Sequence, residues 1–267
     1  MSELSIDLHG VAKTLLVPLA CRAIESARPD AIIHDPRAEA VFNALGGGRE
    51  LLLGMSGHDL FAAAMRVRKF DSLARGFLER HPAGLIVDMG CGLDTRFDRL
   101  DNGQRYWVGI DLPEVIDLRR RLLPDGPRCQ SIAGSMFDPA WLETVGRLGR
   151  PAIFLAEGVF PYFSTGELRP LVEALQRRFP QGELAFDALS PRLAWLHNHT
   201  SSVLKQSGTR IRWDARDPAD LEAWGLKMIE RWEYFERDEP RMGGGRVMRY
   251  IPALAHASYI VHFRLGS

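Results

Sequence analysis

One stretch constrains the fold more than any other. Residues 85–96 read Leu-Ile-Val-Asp-Met-Gly-Cys-Gly-Leu-Asp-Thr-Arg, a β-rich apolar run that ends directly in glycines. Glycine at the carboxyl end of a strand permits a tight turn and lets backbone approach a ligand closely, which is what the switch point of an open parallel sheet requires. Residues 106–110, 130–133, 152–156 and 184–186 read as four further strands, separated by helical patterns, so a doubly wound α/β sheet is expected. The helix after the fourth strand is marked by Ser164-x-x-Glu167 and by Leu168, Leu171, Val172 and Leu175 at helical spacing.

The remainder is expected to close this unit at both ends. Asp217-Pro218 opens a short helix, and residues 226–234 and 259–265 read as two late strands joined through Gly243-Gly244-Gly245, an antiparallel pair at one sheet edge. Residues 1–82 read as a helical cap, with Pro18, Pro29, Pro36 and Gly46-Gly47-Gly48 as breaks, and residues 83–267 as the core, together one structural unit. At 267 residues, 46% hydrophobic and 25% charged, the chain can bury one large core. Lys+Arg and Asp+Glu both number 34, which disfavours a nucleic-acid binder, since that needs a basic stripe. Cys21, Cys91 and Cys129 are too scattered for a disulfide framework or a metal knuckle. With no signal-like start and no long apolar span, a cytoplasmic protein without membrane partners is expected.

The turn also narrows the ligand. Thr95 stands where a dinucleotide fingerprint wants a third Gly or Ala, so a pyrophosphate is disfavoured. Asp111, twenty-one residues beyond Gly90 at the end of the second strand, can accept from both hydroxyls of a ribose. Ribose without pyrophosphate points to S-adenosylmethionine. Two blander readings stand beside this one: the glycines serve only a tight turn, and Asp111, followed by Leu112-Pro113, caps the next helix.

Three blocks resemble the leucine carboxyl methyltransferase family and its bacterial branch of tetracenomycin-polyketide-type O-methyltransferases. They are Val87 through Phe97, Asp111-Leu112-Pro113-Glu114-Val115-Ile116, and Ala156-Glu157-Gly158-Val159-Phe160-Pro161-Tyr162; Thr14 through Leu19 and Asp35-Pro36-Arg37-Ala38 resemble the family's opening. The resemblance implies a Rossmann-like class I S-adenosylmethionine-dependent methyltransferase, with a seven-stranded, mostly parallel sheet, helices on both faces and a helical N-terminal cap. It implies that Gly90, Cys91 and Gly92 hold the methionine part of the cofactor, Asp111 and Leu112 the ribose, and Glu157 the amino or sulfonium side. An arginine before the first strand would bind the cofactor carboxylate. Arg66 is favoured because it shares a helix face with Phe70, Leu73 and Phe77, whereas Arg68 lies about 200° round the helix.

The family's Asp-Leu pair for adenine is replaced here by Ser135-Met136, with Asp138 as a compensating acceptor or a helix cap. Tyr162 is the candidate for the acceptor pocket. Neither His197 nor His199 reads as a base, Arg192, Arg210 and Arg212 read as a solvated face, and no metal-ligand, serine-hydrolase or phosphate-loop motif occurs. The implied activity is methyl transfer to a carboxyl or hydroxyl group of a small, polyketide or aromatic metabolite. A protein C-terminal carboxylate and a non-catalytic S-adenosylmethionine-binding module are the alternatives.

Overall fold

The computed structural model describes residues 15–47, 56–201, 204, 205, 208–234, 239, 241, 247, 250, 251 and 255–266. Seven strands form one sheet: β1 (Leu85–Met89), β2 (Tyr106–Asp111), β3 (Cys129–Ala133), β4 (Ala152–Ala156), β5 (Glu183–Leu189), β6 (Lys227–Glu233) and β7 (Ser258–Arg264), in the order β3-β2-β1-β4-β5-β7-β6. The first five run parallel; β7 is antiparallel to both β5 and β6. Alternation sorts the core into two layers. Leu85, Val87, Met89, Phe154 and Ala156 join one hydrophobic cluster, whereas Ile86, Ile153 and Leu155 join the other. Because β1 and β4 are covered on both faces, β4 is a continuous apolar run and β1 is broken only by the buried Asp88.

Helices cover each face. On one, α3 (Gly57–Arg80) lays Phe61, Phe70, Leu73 and Phe77 over the strands, with the short α4 (Arg96–Leu100) and α5 (Pro113–Leu122) alongside. On the other, α6 (Ala140–Gly146) contributes Trp141, Leu142 and Val145, and α7 (Thr165–Arg178) contributes Leu168, Leu171, Val172 and Leu175, the four positions its spacing predicts. Ser164 starts α7 by donating from its backbone N–H and its hydroxyl to Glu167 Oε2, at 2.9 and 2.7 Å. After β5 comes α8 (Pro191–Thr200), and the short helix expected at Asp217-Pro218 is a 3₁₀ helix, Pro218–Trp224, whose first turn Asp217 caps through Ala219 N.

The N-terminal region carries α1 (Leu16–Ser26) and α2 (Pro36–Ala44) ahead of α3. Pro18 departs from expectation: it does not break a helix but sits in the first turn of α1, where a missing N–H costs no helical bond. Pro36 opens α2 behind the cap residue Asp35, whose carboxylate accepts from Ala38 N at 2.9 Å. Thr14, Gly48 and Gly243-Gly244-Gly245 lie outside the described residues. Among those described, no helix is long and apolar enough to cross a membrane.

Candidate active site

The sheet order reverses direction between β1 and β4, so the loops leaving their carboxyl ends diverge and open a crevice there. Gly90 enters it with φ +74°, and a Cβ at this position would lie 2.4 Å from Val159 Cγ2 of the loop after β4. Gly90→Ala combines that clash with a left-handed backbone, whose cost alone is about 1–2 kcal/mol. The variant is expected to lose at least that much stability in denaturant titration.

Asp111 faces this turn instead of capping α5. Its Oδ2 accepts from Gly92 N at 2.7 Å and its Oδ1 from Leu112 N at 2.8 Å, while the α5 N-cap position belongs to Leu112, which makes no side-chain bond. Each carboxylate oxygen keeps a lone pair for a further donor. Burial pushes the Asp111 carboxyl above its ordinary range, against the pull of those two backbone N–H groups. Leu112 itself is exposed beside it. Cys91 is buried, and burial pushes its thiol well up.

Across the crevice stands a charged cluster. Glu157, directly after β4, accepts from Arg66 Nε at 3.1 Å and Arg96 Nη2 at 2.6 Å. Asp187, on β5, accepts from Gly158 N at 2.5 Å through Oδ1 and from Arg66 Nη1 at 3.3 Å through Oδ2. Gly158, at φ +69°, lets the Arg66 guanidinium lie close over the backbone, since an added Cβ would sit 3.4 Å from both terminal nitrogens. Burial opposes the charge on Arg66, but Asp187 and Glu157 outweigh it and hold the guanidinium above its ordinary value. Tyr234 is buried near the same groups, and burial raises its phenol. Asp187 and Tyr234 escape sequence reasoning; the available signal for Asp187 was an isolated carboxylate inside an apolar strand.

The cluster extends inward from Glu157. Arg96, fully buried, also meets Asp71 at 2.8 Å, Asp94 at 2.5 Å and Asp88 at 3.5 Å. Arg99 joins Asp71 at 2.7 Å to Asp35 at 2.6 Å. Burial and the neighbouring Asp94 push Asp88 well above the usual carboxylate range; burial of Asp94 is overcome by Arg96 and Arg99, which hold it well below.

Beyond β3 the picture is less polar. Ser135 Oγ accepts from Phe137 N at 3.2 Å, which occupies part of the capacity foreseen for an adenine amino group. The Met136 side chain is buried and its carbonyl accepts from Trp141 Nε1 at 2.9 Å. Asp138 precedes the α6 N-cap, Pro139, and accepts from Ala140 N at 2.9 Å in a local turn at the helix start. Tyr162 is half-buried at the end of a 3₁₀ turn, Phe160–Tyr162. Arg68 turns to Glu239 and Arg212 to Glu167, while Arg192, Arg210, His197 and His199 lie exposed. No group of His, Cys, Asp and Glu among the described residues is arranged to hold a metal.

A mostly parallel sheet closed by an antiparallel pair, with a glycine turn after β1 and an acidic residue at the end of β2, is a Rossmann-like arrangement. Among solved structures, the fold resembles a DUF574 family protein from Streptomyces avermitilis (TM-score 0.59, 15% identity, 92% of this chain and 96% of that one). It also resembles a SAM-dependent methyltransferase from Anabaena variabilis (TM-score 0.50, 11% identity, 99% and 98%). Residues 16–176 match the leucine carboxyl methyltransferase family, and the chain belongs to it. It is 31% identical to the tetracenomycin polyketide synthesis O-methyltransferase TcmP of Streptomyces glaucescens over 97% of this chain and 98% of that one. It is 30% identical to the S-adenosyl-L-methionine-dependent methyltransferase dpfgK of Gibberella zeae, over 89% and 87%. The chain is an S-adenosylmethionine-dependent O-methyltransferase.

Proposed function

We propose that the chain methylates a carboxyl or hydroxyl oxygen of a small metabolite of the polyketide or aromatic acid type, in the cytoplasm, with residues 1–82 as a cap over a core of residues 83–267. The observation that carries the cofactor reading is the pairing, across one crevice, of Asp111 with two free lone pairs and Arg66 held between two carboxylates. In this reading Asp111 and Leu112 hold the ribose, and Gly90, Cys91 and Gly92 border the methionine part. The Arg66 Nη2, which has no protein partner among the described residues, receives the cofactor carboxylate. Glu157, shared between Arg66 and Arg96, and Asp187 offer carboxylate oxygens suited to the ammonium and sulfonium. Ser135 and the Met136 backbone serve adenine.

Bound S-adenosylmethionine supplies an electrophilic methyl group. The chain's own task is to orient the acceptor oxygen in line with it and exclude water. A carboxylate acceptor, with pKa near ~4, arrives ionised and needs no base, whereas a phenol near ~10 gains from one. Tyr162, on the turn after Glu157, borders the acceptor. The polyketide assignment follows the Streptomyces glaucescens relative, a tetracenomycin polyketide synthesis O-methyltransferase.

The test is calorimetric titration with S-adenosylmethionine and S-adenosylhomocysteine, with NADH as control. Methyl-transfer assays on aromatic carboxylic acids, phenols and peptides ending in a free carboxylate follow. Saturable binding of the first two ligands and methylation of a small acid or phenol is the expected result. Methylation of the peptides alone would overturn the acceptor assignment.

A further inference from the structure

The turn after β1 is held from behind by residues that are not part of the crevice. Its Gly92 and Asp94 carbonyls accept from Arg119 Nη1 at 3.0 and 2.7 Å, and the Leu93 carbonyl between them accepts from Arg22 Nη2 at 2.8 Å. Arg119 comes from α5 and lies over the Trp107 ring at 4.3 Å; Arg22 comes from α1. Both are buried. A charged donor on a buried carbonyl fixes the orientation of that peptide plane, and three consecutive planes fixed this way leave the turn little freedom.

The cap grips the same turn at two further points. The Leu93 side chain is buried among Leu19, Ala20, Ala38, Val41, Val115 and Leu118, which belong to α1, α2 and α5. Asp35, completely buried between α1 and α2, accepts from Thr95 Oγ1 at 2.5 Å and Arg99 Nη1 at 2.6 Å, and pairs with Arg22 Nε at 3.3 Å. A carboxylate that only capped α2 would need Ala38 N alone. This one gathers a hydroxyl and two guanidinium groups from three other elements, so burying it is compensated only when α1, α2 and the turn are docked together.

We infer that Arg22 and Asp35 are positioning residues for cofactor binding: through them α1 and α2 hold the 90–95 turn in its binding conformation, and cap docking and cofactor binding stabilise each other. The inference rests on reading that turn as the cofactor site. Coupling of this kind is reciprocal, so the cofactor must tighten the cap as much as the cap tightens the cofactor site.

The full-length chain is compared with Arg22→Met, Arg22→Lys, Asp35→Asn and Asp111→Ala, using S-adenosylhomocysteine affinity by calorimetry and amide hydrogen exchange with and without that ligand. In the wild type, the ligand slows exchange in α1 and α2. In Arg22→Met and Asp35→Asn the affinity falls on the order of tenfold and the protection of α1 and α2 disappears, with Arg22→Lys recovering part of both. An arginine with only a structural role would lower Tm and leave the affinity of the folded protein unchanged.

Affinities within about twofold of wild type in the folded Arg22→Met and Asp35→Asn variants overturn the inference, as does a wild-type cap whose exchange ignores the ligand. If Arg22→Met does not fold, Asp35→Asn and the wild-type exchange decide. If Asp111→Ala also keeps full affinity, it is the assignment of the turn itself that fails.

Discussion

Replacing Arg96 with methionine is expected to remove about 3–5 kcal/mol of folding stability, the usual cost of deleting one member of a buried ion network. Arg96 has no exposed surface, and its guanidinium contacts Asp71, Asp94 and Glu157 at 2.8, 2.5 and 2.6 Å. Methionine fills much of the same volume, so a packing void contributes little. What remains is a set of enclosed carboxylates that Arg66 and Arg99 alone must compensate. The deficit is read as the loss of extrapolated unfolding free energy in urea, and a loss below about 1 kcal/mol would refute the account.

The same variant carries a pH signature. Arg96 and Arg99 hold Asp94 below its unfolded value, so its contribution is present above the ordinary carboxylate pKa and is lost as pH falls through the depressed one. Wild type therefore loses this stabilisation in acid while Arg96→Met has already lost the share that Arg96 supplies. The gap between the two proteins should narrow as pH falls below about 4.

How far the sequence exposes this molecule depends on whether a contact is local. The strands carry their own periodicity, so the parallel core is legible, and the late pair at the sheet edge is legible from alternation at residues 259–265, which the structure places antiparallel to β5. The Arg66 face is legible because Phe70, Leu73 and Phe77 repeat on the same helix. The charge network is not: Arg96 and Glu157 lie 61 positions apart, Arg66 and Asp187 lie 121 apart, and no local pattern marks such partners. Asp35 stands out in the sequence only within the Asp35-Pro36-Arg37-Ala38 block, and its links to Thr95 and Arg99 appear once β1 has carried that turn against α1 and α2. Pro18 misleads for a related reason. Whether a proline breaks a helix depends on where the helix starts, and nothing local fixes the start of α1 ahead of residue 18.

Asp111→Ala should have the largest effect on ligand affinity. If the two remaining lone pairs of its carboxylate receive the ribose hydroxyls, the substitution deletes two hydrogen bonds to a charged acceptor, each worth about 1.5–3 kcal/mol. It also strips Gly92 N of its partner in the turn. Together these correspond to a rise in Kd for S-adenosylhomocysteine of roughly 100-fold or more. The wild-type affinity should in addition weaken in acid at a higher pH than an ordinary carboxylate would dictate. Burial raises the Asp111 carboxyl, and protonation removes acceptor capacity as pH falls through that raised value. In Asp111→Ala this acid-side decline should be smaller, since Asp187, also raised by burial, still titrates there. Calorimetry across that pH range checks both points, and an alanine variant that binds as tightly as wild type would mean that the ribose is held elsewhere.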